Sequence, residues 1–191
     1  MPIEPAQFPN QLETERLRLC APRRSDAEEM CAAVAESFEA LHRWMDWAQE
    51  VPSLAVEREI MSARRTRHEC GEEATWLLRR KSDGVLVGAG GLPRLCWDRR
   101  CFEIGYWVRT SLAGNGYVTE FVERLTDLCF ERFAARRVEI RTSTRNRRSR
   151  RVAELAGFRC ERTIVQDGTH PDGSPRDTVL YVARAKEGAV A

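Results

Sequence analysis

Several features are missing from this 191-residue sequence, and each absence removes a class of function. No stretch approaches the ~20 consecutive apolar residues of a membrane-spanning helix. The opening MPIEPAQFPNQLE carries prolines and acids where an export signal has an apolar run, so a soluble cytoplasmic protein is expected. The seven cysteines, at 20, 31, 70, 96, 101, 129 and 160, are odd in number, scattered and without a C-x-x-C pair. That pattern excludes a disulfide frame and a zinc ribbon, and the thiols are expected as small buried hydrophobes in a reducing compartment. Histidine is scarce, and His42 and His68 have no partner at ligand spacing, so both read as solvated surface groups and no metal is expected. Net charge is also small, +2, which gives no global attraction to nucleic acid or membrane. What remains, 42% apolar residues in one medium-length chain, is enough for a single domain with a real core.

The most informative stretch is Tyr106 to Leu128, YWVRTSLAGNGYVTEFVERLTDL. An aromatic, strand-like run breaks at Arg109–Leu112 and passes Gly114 and Gly116. Apolar residues then recur at Val118, Phe121, Val122, Leu125, Leu128 and Cys129, the spacing of an amphipathic helix. A helix start leaves backbone N–H groups without partners and concentrates partial positive charge there. Glycines just before it let a bulky anion reach those groups. A nucleoside-triphosphate loop is excluded, because Tyr117 and Val118 follow the second glycine where Lys and Ser/Thr are required. A dinucleotide loop is excluded because Thr119 stands at its third glycine. On the glycines alone, an ordinary strand-to-helix turn stays open.

The letters Glu103-Ile104-Gly105-Tyr106-Trp107-Val108, Ala113-Gly114-Asn115-Gly116-Tyr117-Val118 and Thr119-Glu120 together resemble the acyl-coenzyme A loop of the GNAT superfamily of N-acetyltransferases, in its RimJ/RimL-like, ribosomal-protein branch. Two positions depart from the family pattern: Ala113 replaces Gln or Arg, and Val118 replaces a small residue. Glu13–Leu19 (ETERLRL) resembles the branch's first strand, and Asn146, Ser149, Gly157 and Phe158 its asparagine–serine helix. The resemblance implies a GNAT fold: a mixed, mostly antiparallel central sheet of α/β (α+β) class, with helices on both faces and one parallel pair splayed around the cofactor. It implies acetyl-coenzyme A as co-substrate, without metal, held by Trp107, Val108, the Ala113–Thr119 loop, Asn146 and Ser149. Direct attack by a primary amine, from a small molecule or a protein N-terminus, completes the implied reaction, with a homodimer open as the assembly. Glu103 stands where the family carries a general base, and Ser149 where it protonates the departing thiolate. A coenzyme A-binding sensor or assembly module without catalysis is the alternative.

Chemistry supports a carboxylate at 103, because an attacking amine must lose a proton. A strand carboxylate merely paired with Arg99 or Arg100 is the other reading. Asp167 and His170 are further acid/base candidates, ranked below it. Trp44 and Trp47, in the apolar run 41–51, read either as a wall of the acceptor pocket on a short helix or as packing onto the sheet. The five arginines within 145–151 lack interleaved aromatics, so a phosphate contact or a solvated face is expected rather than a nucleic-acid patch.

The remaining elements follow from pattern. A flexible lead (1–11) precedes one domain (12–184) and a tail (185–191). Within the domain we expect a strand over 12–21 and a helix capped by Ser25, with Glu28 closing the capping box. A helix over 54–69 should turn Val56, Ile60 and Met61 inward. A hairpin 74–80/85–92 should close on Ser82-Asp83-Gly84. Strand 101–108 and helix 116–135 should lead to a strand 137–142 parallel to 101–108. Two last strands, 159–165 and 178–183, should flank a lid or flexible loop, 166–177.

Overall fold

A computed structural model describes residues 8–185. The sheet contains eight strands: β1 (Gln11–Glu13), β2 (Leu17–Cys20), β3 (Ala74–Arg80), β4 (Leu86–Cys96), β5 (Cys101–Val108), β6 (Arg137–Ser143), β7 (Arg159–Thr169) and β8 (Pro175–Arg184). Four helices accompany them: α1 (Ala27–His42), α2 (Leu54–Cys70), α3 (Tyr117–Arg132) and α4 (Arg147–Leu155). The spatial order is β1-β2-β3-β4-β5-β6-β8-β7. Every neighbouring pair is antiparallel except β5 and β6. Parallel neighbours need a long crossover, and α3 supplies it.

Central strands are covered on both faces. In β3, Trp76 and Leu78 join a core with α3 and α4, while Leu77 joins a second core with α1 and α2. The apolar stripe read in the sequence puts Phe121, Val122 and Leu125 of α3 fully into the first core. Phe121 lies so close to β4 that a Cβ on Gly90 would stand 2.5 Å from its ring, so only glycine admits the helix at that height.

The feature that positions the site is an incomplete ladder. β5 and β6 pair only at Cys101↔Arg137, Phe102↔Val138 and Glu103↔Glu139. Beyond Glu103, β5 stays bonded to β4 as far as Val108, and β6 stays bonded to β8 as far as Ser143. The two strands therefore diverge, each held by its outer neighbour, and leave an opening flanked by Ile104–Val108.

Several expectations need correction. Residues 1–7 and 186–191, most of the expected lead and tail, lie outside the described residues. The end of the lead is packed: Phe8 is buried against Trp76 and Phe133, and Trp76 Nε1–H donates to Pro9 O. Before α1 a short 3-10 turn over Arg24–Asp26 intervenes, closed not by Ser25 but by Asp26, which accepts from the Arg23 N–H at 2.8 Å; α1 itself has no side-chain cap. The expected short helix at 41–51 is a set of turns. Leu41 O takes both the Trp44 and Met45 N–H groups, and His42 Nδ1 lies 2.8 Å from Ala48 O, folding the chain back before Pro52.

On α2 the buried stripe is rotated by one residue, to Glu57, Met61 and His68, leaving Val56 exposed. His68 is thus a core group, stacked edge-on against Trp76 and accepting from the Thr75 N–H, and burial pushes its pKa down. His42 is half-buried on Phe38. All seven cysteines are free, but only Cys129 is fully buried. Finally, 166–177 is mostly strand. A bulge at Gln166, φ +50°, lets β7 continue to Thr169, and the tip closes through His170 N–H to Ser174 O and Gly173 N–H to His170 O.

Candidate active site

The glycine loop begins where β5 ends. Arg109 N–H bonds Val87 O, and the following turn is pinned from α1: Glu36 accepts from Arg109, Ser111 N–H and Ser111 Oγ, while Ser37 Oγ accepts from Thr110 N–H. The Arg109 and Ser111 hydrogen bonds hold the Glu36 carboxyl down at about 2. Gly114 and Gly116 then adopt φ +83° and +80°, the left-handed region open to glycine. Helix α3 starts with Gly116 as its cap residue and no side-chain cap; its first backbone bond runs from Glu120 N–H to Gly116 O. Among the described residues, the N–H groups of Gly114 through Thr119 meet no protein acceptor. The Asn115 amide folds back onto Leu112 O. Val118, bulkier than the family pattern, is 7% exposed and packs into the larger core.

From the other side, the β1–β2 turn clamps this loop. Glu120 accepts from Thr14 Oγ, Arg16 N–H and Arg16 Nε. Arg16 also donates to Asn115 O, with its guanidinium 4.8 Å from the Tyr117 ring centre. Burial pushes the Glu120 carboxyl up, but these hydrogen bonds outweigh it and hold the carboxyl below its ordinary value.

A cavity of about 990 Å³ joins the loop to the gap between β5 and β6 and continues to the far side of the sheet. It brings together Trp107, Val108, Ala113 through Thr119, Asn146, Ser149, Glu103, Trp44 and Asp167. Asn146 caps α4, its Oδ1 accepting from Ser149 N–H at 3.1 Å. Ser149 Oγ lies 3.0 Å from the Tyr106 hydroxyl, which also reaches Ser149 O at 3.1 Å. Burial raises the Tyr106 hydroxyl to about 12, so it is a neutral donor. The arginine run divides: Arg148 and Arg151 line the cavity, Arg145 donates to Ser174 Oγ, and Arg150 donates to Thr144 O and Tyr181 Oη.

At the far end three carboxylates face arginines. Glu103 has only a loose partner, Arg94 Nη1 at 3.6 Å on a largely exposed side chain, in place of the expected Arg99 or Arg100. Burial pushes the Glu103 carboxyl above its ordinary value, with Arg94 and Arg141 offsetting part of the effect. Asp167 is the opposite case. Burial would raise it, but hydrogen bonds from Arg141 and Thr178 outweigh that, so it stays ionised and engaged. Asp46 pairs with Arg176 at 3.5 Å. His170 is buried, 3.3 Å from Ser143 Oγ and edge-on to Trp44. Trp47 is the misplaced candidate: it does not line this cavity but stands beside Trp107, ring centres 6.3 Å apart, over a separate smaller one. The cavity thus holds one carboxylate without a close cation at its far end and a hydroxyl pair near α4. Among the described residues no group of three His, Cys, Asp or Glu is placed to hold a metal, and no helix is long and apolar enough to cross a membrane.

Tyr106, Arg16, Glu36 and Ser37 are groups at or around this cavity that the sequence pattern does not single out. Tyr106 was visible inside the strand motif but carried no chemistry until its contact with Ser149 was known. The others lie far along the chain from the loop they hold.

Residues 16–159 match the family described as "Acetyltransferase (GNAT) domain". YdaF of Bacillus subtilis (strain 168), provisionally named a ribosomal N-acetyltransferase, is 31% identical over 173 residues, covering 90% of this chain and 91% of its own. Among solved structures, Mycobacterium smegmatis RimJ in complex with CoA-disulfide superposes with a TM-score of 0.84 at 25% identity, covering 97% of this chain and 92% of that one. The microcin C7 self-immunity acetyltransferase MccE, solved with acetyl-CoA and AMP, superposes at 0.86 with 18% identity over 94% and 98% of the two chains, a likeness of fold.

Proposed function

The chain belongs to the acetyltransferase (GNAT) domain family, an acyl-coenzyme A-dependent N-acetyltransferase by that membership, and we propose that its acceptor is the α-amine of a protein N-terminus, with Glu103 as the base. The observation that carries the assignment of roles is the single cavity joining uncapped amides, an unladdered strand edge and a loosely paired, half-buried carboxylate.

Acetyl-coenzyme A supplies the acyl group as a thioester. The amides of Gly114–Thr119 fit its diphosphate, because N–H groups at a helix start with no protein acceptor are paired by an anion. Arg148 and Arg151, at the same cavity, fit its remaining phosphate charge. The unpaired edge at Ile104–Val108 offers peptide groups to the extended arm. Glu103 takes the proton of the attacking amine as the new C–N bond forms and the C–S bond breaks. Ser149, supported by Tyr106, returns a proton to the sulfur. Glu103 suits the role better than Asp167, since a raised carboxyl lies nearer neutral pH and accepts a proton more readily than one held by Arg141. An α-amine of pKa ~8 needs less help than a lysine near ~10.4, which favours α-amines as acceptors. The name of the Bacillus subtilis relative supports ribosomal proteins as the source of that N-terminus. The seven free thiols support a cytoplasmic location.

The test is thiol release from acetyl-coenzyme A against N-terminal peptides of ribosomal proteins, the same peptides with blocked α-amines, polyamines and aminoglycosides, with mass spectrometry of the products. The expected result is one added acetyl group on the free α-amine. Turnover confined to the small amines, or equal turnover of blocked peptides, overturns the acceptor.

A further inference from the structure

The smaller cavity lies on the α1/α2 side of the sheet, and Trp107 separates it from the active-site cleft, lining both. Its volume is about 150 Å³, the size of an engineered core cavity that holds benzene. Most of its wall is apolar: Met30, Val34, Ile60 and the indoles of Trp47 and Trp107. Into this apolar space the sequence places Glu57, 4% exposed. Its carboxylate makes no hydrogen bond or direct ion pair among the described residues; burial pushes it above its ordinary value, and the charge of Arg64 offsets only part of that. Natural cores rarely leave a carboxylate in that condition, because an unpaired buried charge is costly.

The other charged groups facing the space are Glu50, at the exposed edge, and Arg64, seven residues along the same helix. Arg64 forms no direct ion pair with Glu57 among the described residues, but the two charges attract across the space, each offsetting part of the other's burial cost. With two carboxylates against one guanidinium, the lining carries net negative charge. Two indole faces add the attraction of aromatic rings for organic cations. An anion would meet Glu57 directly, and a neutral ligand would leave its carboxylate unpaired.

We propose that this side cavity binds a small organic ammonium ion, caged by Trp47, Trp107 and the carboxylates of Glu50 and Glu57. The turn that carries Trp47 over this cavity also carries Trp44 into the acceptor end of the cleft, so an occupied cage adjoins both the acceptor wall and the Trp107 partition.

The experiment titrates the full chain with choline, at constant ionic strength, by calorimetry and tryptophan fluorescence. The comparison ligand is 3,3-dimethyl-1-butanol, its neutral analogue. Neither the proposed acceptor nor turnover enters the readout, so a failure here is distinct from a failure of the acetyltransfer assignment. Saturable choline binding is expected, at least about tenfold tighter than the neutral analogue. It should weaken by a similar factor in Glu57→Gln and in Trp47→Ala, and persist when coenzyme A saturates the main cleft. Glu57→Gln keeps the shape of the side chain, and the melting temperature of each variant is read beside the wild type, so lost binding in a variant that still unfolds cooperatively is not lost folding. Absence of saturation, equal binding of the neutral analogue, unchanged affinity in both variants, or displacement of choline by coenzyme A each overturns the proposal.

Discussion

The two ends of the cleft are built from different materials. At the loop end the cavity-facing groups are backbone amides, presented by glycines in the left-handed region and held from outside by Glu36, Ser37 and Arg16. At the acceptor end they are side chains: Glu103, Asp167, His170, Trp44 and Arg176. A backbone site depends on chain path and tolerates side-chain change. That accounts for Ala113 and Val118, which depart from the family pattern without removing an amide. A side-chain site changes its ligand with single substitutions, which fits a fold reused for many acceptors.

Substitutions at the two ends should therefore fail in different parameters. The largest effect belongs to Glu103→Gln. We expect kcat to fall by about 10²–10⁴ with little change in KM for acetyl-coenzyme A, measured by continuous thiol release. The wild-type rate should rise with pH as Glu103 ionises, at a pH above the ordinary carboxylate range because burial raises this group, and the variant should lack that limb. Asp167→Asn should cost much less, since Arg141 already occupies its charge; an equal loss from both would erase the distinction between them.

Gly116→Val should act in the opposite parameter. It forces a β-branched residue to φ +80°, a cost of about 1–3 kcal/mol, so cofactor affinity by calorimetry should drop about 5–150-fold while kcat at saturating cofactor is largely kept. Glu36→Gln should loosen the same loop more gently, raising the acetyl-coenzyme A KM a few-fold, in line with about 1 kcal/mol for a lost hydrogen bond. The Glu36 carboxyl is lowered on folding, to about 2, so its stabilising contribution is present above the ordinary value near ~4.3 and is lost as pH falls toward 2. Acid unfolding of the Gln variant should be correspondingly less steep. Ser149→Ala should be the mildest, a few-fold in kcat, because a thiol of pKa ~8.5 leaves tolerably without a proton donor.

This difference in materials also explains what could be read from letters alone. Glycine spacing, the helical stripe of α3 and the strand alternation report backbone conformation, and they mark the loop and the parallel crossover, while the splayed pair follows only from the family resemblance. Which side chains meet across the sheet depends on register and on irregular turns. So the sequence groups Trp47 with Trp44, whereas the turns after His42 send them to different cavities. His68 reads as a surface group in the sequence because a one-residue rotation of α2 carries no sequence mark. The 166–177 segment read as a loop because its prolines and acids hide a bulged hairpin. The partner of Glu103 proved to be Arg94, which the β4 bulge between Gly91 and Arg94 brings alongside.

The central claim concerns six backbone amides, and hydrogen exchange reads them directly. Exchange at residues 114–119, followed by NMR with and without coenzyme A, should slow strongly on cofactor addition while the paired amides of α3 beyond Glu120 change little. Unaltered exchange at 114–119 in protein saturated with coenzyme A would contradict the account, because the diphosphate would then be held elsewhere.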